Sequence, residues 1–93
     1  MHPSQASEID WDDGNARELG RHGISLADVL EVFANDPAWG RNRKNRSGDY
    51  KMIGQTDGGR RLTIIMLMVP NSDKARPVTG WDSTKGEVTR YRR

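Results

Sequence analysis

The sequence contains no cysteine and few aromatic residues, and both shortages limit what the chain can be. Without cysteine it can form neither a disulfide nor a thiolate metal site. Hydrophobic residues make up 33% of 93 residues, which is enough for one small domain with a modest core. The longest apolar run, residues 62–69, is far shorter than the roughly 20 residues that cross a bilayer. The N-terminus shows no basic stretch followed by an apolar one, so we expect no signal peptide and a cytoplasmic protein without membrane contact.

Charge is divided unevenly between the two halves of the chain. Residues 1–37 carry two basic and eight acidic residues, a net of −6, whereas residues 38–93 carry thirteen basic and five acidic residues, a net of +8. A basic face is the usual electrostatic footprint of nucleic-acid binding. The alternative, in which the charges mix over a solvated surface in three dimensions, stays open at this point.

The acidic half predicts a flexible tail over residues 1–8, a short strand over 9–11 and then two helices. Asp12 or Asp13 can cap the first helix, and a glycine after its basic end can close it in the left-handed conformation. The second helix begins with the pattern Ser25-x-x-Asp28, a capping box, and stops at residues 35–37, "NDP". It carries acidic residues and no basic one, so it would repel DNA rather than read it.

The basic half predicts three antiparallel strands. They cover residues 50–55, 61–69 and 74–81, with a glycine-rich hairpin turn between the first two. A short C-terminal helix follows, capped by Asp82 or Ser83. The sequence therefore predicts one α+β domain over residues 9–93, with two N-terminal helices on a small antiparallel sheet and a short helix at the end.

An ordered set of segments resembles the BrnT-like toxin family. They are "WDDGNARELGRHGISLADVLEVF", "IGQTDGGRRLTIIMLMV", "RPVTGWDSTK" and "RYRR", which together span roughly residues 9–93. The resemblance implies a RelE-like fold and the toxin of a type II toxin–antitoxin pair that cleaves RNA. It also implies a ribbon-helix-helix antitoxin as partner, with a homodimer or a heterotetramer as possible assemblies.

RNA can be cleaved by its own 2′-hydroxyl without a metal or other cofactor, given a base, an acid and cations that stabilise charge on the phosphate. The best candidates for phosphate contacts are Arg61 and Arg76, which match basic positions of the resembled family. The full set of catalytic candidates is Lys51, Arg61, Arg76, Lys85 and Tyr91. Tyr91 has an alternative role in the core, since it lies at helical spacing from an apolar residue.

Further cations are candidates for RNA binding outside the catalytic centre. Four of them lie in the basic, turn-forming segment over residues 41–46, for which a solvated loop is the favoured alternative. The set is Arg41, Arg43, Lys44, Arg46, Arg60 and Arg90.

Two residues need a separate interpretation. His22 stands where the first helix ends, and we expect its imidazole to cap helix carbonyls, the alternative being a supporting role in an RNA site. Trp81 stands where the resemblance implies an arginine, and it either covers the core beneath the last helix or stacks on a base. A site without that cation predicts weak cleavage, so the alternative function is a non-catalytic module of the same fold that binds RNA or protein.

Overall fold

The structure, a computed structural model, describes residues 1–42 and 49–91, with side chains as far as Thr89. Over these residues it contains five strands, three α-helices and one short 3-10 turn. In chain order they are a 3-10 turn Pro3–Gln5, β1 Glu8–Ile9, α1 Asp13–Gly20, α2 Leu26–Ala34, β2 Ala38–Arg41, β3 Tyr50–Gln55, β4 Arg61–Met68, β5 Lys74–Asp82 and α3 Lys85–Tyr91.

The strands form one sheet in the order β1-β5-β4-β3-β2. Strands β2 to β5 are antiparallel, whereas β1 runs parallel to β5, with Glu8 opposite Lys74. The predicted α+β class is confirmed, but the expectation of a purely antiparallel sheet is wrong. The short strand expected over 9–11 lies at Glu8–Ile9 as β1. The strand that the sequence did not predict is β2, an edge strand of four residues, too brief to show clearly the alternation by which a sequence reveals a strand.

The main core lies between the sheet and the first two helices. Leu62, Ile64 and Met66 alternate along β4 onto this side and are fully buried. They meet a set of buried side chains from the helices and from β3, namely Leu19, Ile24, Val29, Val32 and Met52. Helix α1 packs mainly on β5 and α2 mainly on β3, so the two helices lie side by side on the sheet.

The corner between the first two helices forms as the sequence predicts. Asp12 accepts hydrogen bonds from the amides of the first turn of α1, and Ser25 and Asp28 form a reciprocal capping box at the start of α2. Between the helices Gly23 has a φ of +70°, and the Ile24 amide donates to the Leu19 carbonyl. The left-handed glycine therefore turns the chain directly into the second helix.

The other face of the sheet is covered by α3. Thr63 and Ile65 alternate onto this face of β4 and are also buried, as the unbroken apolar run predicts. The predicted caps Asp82 and Ser83 are wrong, because β5 extends to Asp82 and the Ser83 amide still donates to a β4 carbonyl. Thr84 caps α3 instead, with Glu87 as its reciprocal partner.

The segment predicted as a flexible tail has defined contacts in this structure. Pro3 is buried, His2 packs against Trp39, and β1 adds an edge to the sheet. Among the helices that the structure describes, none is long and apolar enough to span a membrane.

Gly80 tests the packing between β5, β4 and the helix corner. A Cβ at this position would lie 2.9 Å from the Thr63 carbonyl oxygen and 3.1 Å from Ile24 Cδ1. Gly80→Ala should therefore lower the free energy of unfolding by about 1–3 kcal/mol, measured by denaturant titration. The matched control is Gly20→Ala in α1, where no atom lies within 4 Å and a gain of roughly 0.5–1 kcal/mol is expected. Equal effects of the two substitutions would contradict this packing.

Candidate functional site

A carboxylate lies between α3 and the sheet, at the centre of a group of polar side chains. Both oxygens of Glu87 accept from the Trp81 indole N–H, at 3.0 and 3.2 Å. One oxygen also accepts from Thr63 Oγ1 at 3.2 Å, and the other lies 3.8 Å from Lys51 Nζ. We call Lys51, Thr63, Trp81 and Glu87 the Glu87 cluster.

The Glu87 carboxylate is held in its charged form although its side chain is only 14% exposed. Burial raises the pKa of Glu87, but hydrogen bonds from the Thr84 amide, Trp81 and Thr63, together with the charge of Lys51, outweigh it and lower the pKa overall. The sheet face beneath α3 therefore carries a negative charge beside Lys51, the one candidate cation within it whose side chain the structure describes.

The two best sequence candidates, Arg61 and Arg76, are not brought together. Arg61 follows the hairpin turn at one end of β4, whereas Arg76 lies opposite Leu67 near the other end. Six positions along a strand correspond to about 20 Å. One phosphate could not contact both side chains at this separation, so a shared catalytic role is not what the geometry provides.

Arg76 is also occupied by acidic partners at the start of α1. Its two terminal nitrogens lie 2.9 and 3.0 Å from the two oxygens of Asp12, and Nη1 lies 3.1 Å from Asp10. The hydrogen bonds to Asp12 raise the pKa of Arg76, and those from Arg76 and the Asn15 amide lower the pKa of Asp12 to about 2. Arg76 therefore joins the N-terminus of α1 to β5.

Arg60, predicted to bind nucleic acid, connects the helix corner to the end of β5 instead. It donates to the carbonyls of Gly23 and His22 at 2.7 and 3.2 Å, and its Nε lies 2.8 Å from Asp82. The hydrogen bond to Asp82 raises the pKa of Arg60 further above its ordinary range. Neighbouring Arg61 differs, because its side chain is exposed and pairs with no acid among the described residues.

The other candidate cations divide into three groups. Lys85 is exposed at the start of α3 and, over the described part of the chain, forms no ion pair, while Arg41 lies with its guanidinium carbon 5.5 Å from the centre of the Tyr50 ring. Arg90 and Tyr91 lie in α3, but their side chains are outside the described set. Three candidates lie wholly outside the described residues: Arg43, Lys44 and Arg46.

The surroundings of His22 and Trp81 bear on the alternative roles that the sequence left open for each of them. The His22 imidazole lies 3.4 Å from Glu18 and is 40% exposed, so the expectation that it caps helix carbonyls is wrong. The carbonyls at the end of α1 accept from backbone amides of residues 21–24 instead, and Arg60 reaches the carbonyls of His22 and Gly23 in the corner beyond the helix. Trp81 lies half-buried beneath α3, where its indole N–H donates to Glu87.

Glu87 is the residue that reasoning from the sequence missed. Its signal is present as Thr84-x-x-Glu87, a capping-box spacing directly before the last helix. Assigning the cap to Asp82 or Ser83, one or two residues before Thr84, concealed that pattern. Comparison of the chain with family models and with curated proteins finds no match in either.

The pKa of Asp12 predicts a defined acid sensitivity. Because its folded value of about 2 lies below its ordinary 3.8, the stability that it contributes is complete above about pH 4 and is lost as the pH falls toward 2. Asp12→Asn keeps the helix cap but removes the charge, so its unfolding free energy should fall less than that of the wild type between pH 4 and pH 2. Asp13→Asn is the control and should follow the wild type. An Asp12→Asn profile parallel to the wild type would contradict the Arg76 contact.

Proposed function

We propose that the chain is a BrnT-like toxin with a RelE-like fold that binds RNA at the end of the sheet where β5 leads into α3. The observation that carries this proposal is the position of two cations, Arg61 and Lys85, that have no ion pair within the described part of the chain. The Arg61 carbonyl accepts from the Ser83 amide at 3.0 Å, two residues before Lys85, so both cations flank the same junction. The Glu87 cluster lies beside it, on the adjoining sheet face.

Cleavage at this junction would be metal-independent and slow. The 2′-hydroxyl of the RNA, giving its proton to solvent, would attack the adjacent phosphorus. The bond from phosphorus to the 5′-oxygen would break, leaving a 2′,3′-cyclic phosphate and a 5′-oxygen that takes a proton from water, while Arg61 and Lys85 stabilise charge on the phosphate oxygens. The cation implied for the end of β5 is replaced by Trp81, and removal of one such donor costs about 10²–10³ in rate at well-studied sites. Glu87 adds a negative charge next to the phosphate, and Arg76 is held by Asp10 and Asp12.

The alternative function is a non-catalytic RNA- or protein-binding module of the same fold. Glu87 favours it, because an ionised carboxylate within the polar cluster opposes the charge that develops in phosphate transfer. In either case we propose a ribbon-helix-helix antitoxin as the partner. The chain would form a heterotetramer with this antitoxin or a homodimer.

Single-stranded RNA binding across 50–200 mM salt tests the proposed site. Arg61→Ala should weaken binding and reduce the slope of log affinity against log salt by about one, because one phosphate contact is lost. The matched control is Arg17→Ala on α1, an exposed arginine without an ion pair in the described set, which should leave affinity within about twofold. Affinity that is independent of salt, or equal losses in both variants, would contradict the proposal.

A further inference from the structure

A small aromatic cavity lies at the outer edge of the sheet, away from the Arg61 and Lys85 junction. It has a volume of about 320 Å³ and is lined by His2, Trp39, Gly40, Arg41 and Tyr50. Trp39 and Arg41 belong to β2, the last strand of the sheet, and Tyr50 begins the neighbouring strand. The cavity therefore opens beside an edge strand.

The rings around this cavity hold one another in place. The His2 ring lies edge-on to Trp39 at 5.1 Å between centroids and to Tyr50 at 4.7 Å. Phe33 packs edge-on behind Trp39 at 6.3 Å. All three lining rings are only half-buried, so part of their apolar surface remains accessible in a fixed orientation.

Charge separates this cavity from a larger one at the same edge. The larger cavity, of about 610 Å³, is lined by two carboxylates, Asp36 and Asp57, which would repel a phosphate. The aromatic cavity contains no carboxylate, and its charged group is the Arg41 guanidinium over the Tyr50 ring. Accessible rings can stack on a flat aromatic group, and the guanidinium beside them can pair with an anion attached to that group.

We propose that this cavity binds one base of single-stranded RNA, with Arg41 contacting the adjoining phosphate. Base stacking on aromatic side chains tolerates any base, because every base has a π-face, and Arg adds cation–π attraction. The ligand class rests on the proposed function, but the cavity is a second contact, separate from the Arg61 and Lys85 junction. It would hold the strand and take no part in the phosphate chemistry.

The test uses the unmodified chain labelled with ¹⁵N and a six-nucleotide uridine RNA. The indole N–H resonance of Trp39 should shift on titration, whereas that of Trp11, which packs against the core, should not. A hexamer of the same length with abasic sugars keeps every phosphate but lacks the bases, so it should leave the Trp39 resonance unmoved. His2→Ala and Arg41→Ala should each weaken binding of the uridine hexamer by roughly tenfold, and Arg17→Ala should not.

An unmoved Trp39 resonance at saturating RNA would overturn the cavity as a base-binding site, and so would equal affinities for the uridine and abasic hexamers. Arg61→Ala separates this inference from the proposed function. If Trp39 still shifts in Arg61→Ala and that variant binds with unchanged affinity, the cavity stands and the junction fails. If affinity falls with Arg61→Ala while Trp39 never moves, the junction stands and the cavity fails.

Discussion

Burial of β4 on both faces is the constraint on which the rest of the fold depends. A strand that alternates Leu62, Ile64 and Met66 on one side with Thr63 and Ile65 on the other needs a cover on each. Helices α1 and α2 supply the first cover, and their corner is fixed to the sheet by Arg60. The second cover is the short helix α3, which has seven residues and therefore little apolar surface. Polar contacts between α3 and the sheet must therefore supplement its apolar packing.

The Glu87 cluster is the consequence of that short cover. A buried hydroxyl and a half-buried indole N–H require acceptors, and one carboxylate serves both while capping its own helix. The same carboxylate makes the sheet face electrostatically mixed, since Lys51 is neutralised beside it. Among the described residues, the cations without an acidic partner lie away from this face, at the junction where β5 meets α3, at the β2 edge and, with Arg17, on α1. This distribution of charge suits binding of a polyanion better than it suits stabilisation of the transition state for phosphate transfer.

Most helices and strands could be predicted from local patterns in the sequence, but their pairing partners in the sheet and the ion pairs of their side chains could not. The helix corner followed from the capping pattern at Ser25 and the glycine at position 23, which act within a few residues and are visible in any window. Strand β2 and the parallel pairing of β1 did not follow, because four residues show little periodicity and β1 pairs with β5 across more than 60 residues. The sequence shows which residues are basic and could contact a phosphate, but it does not show which of them pair with acidic residues. Whether Arg60 or Arg61 is free depends on the distant Asp82 and on the carbonyls at the helix corner, which only the tertiary structure brings near.

Our proposal that Glu87 is a structural anion that opposes cleavage is tested most directly by a single-turnover assay. Saturating protein would be mixed with labelled RNA in the presence of a metal chelator, and the cleavage rate would be compared for the wild type and Glu87→Gln, after circular dichroism shows that both are folded. The account predicts slow cleavage by the wild type and a rate that is equal or higher in Glu87→Gln, because the substitution removes the negative charge and releases Lys51. Rapid wild-type cleavage that Glu87→Gln abolishes would contradict it and would identify the carboxylate as a general base.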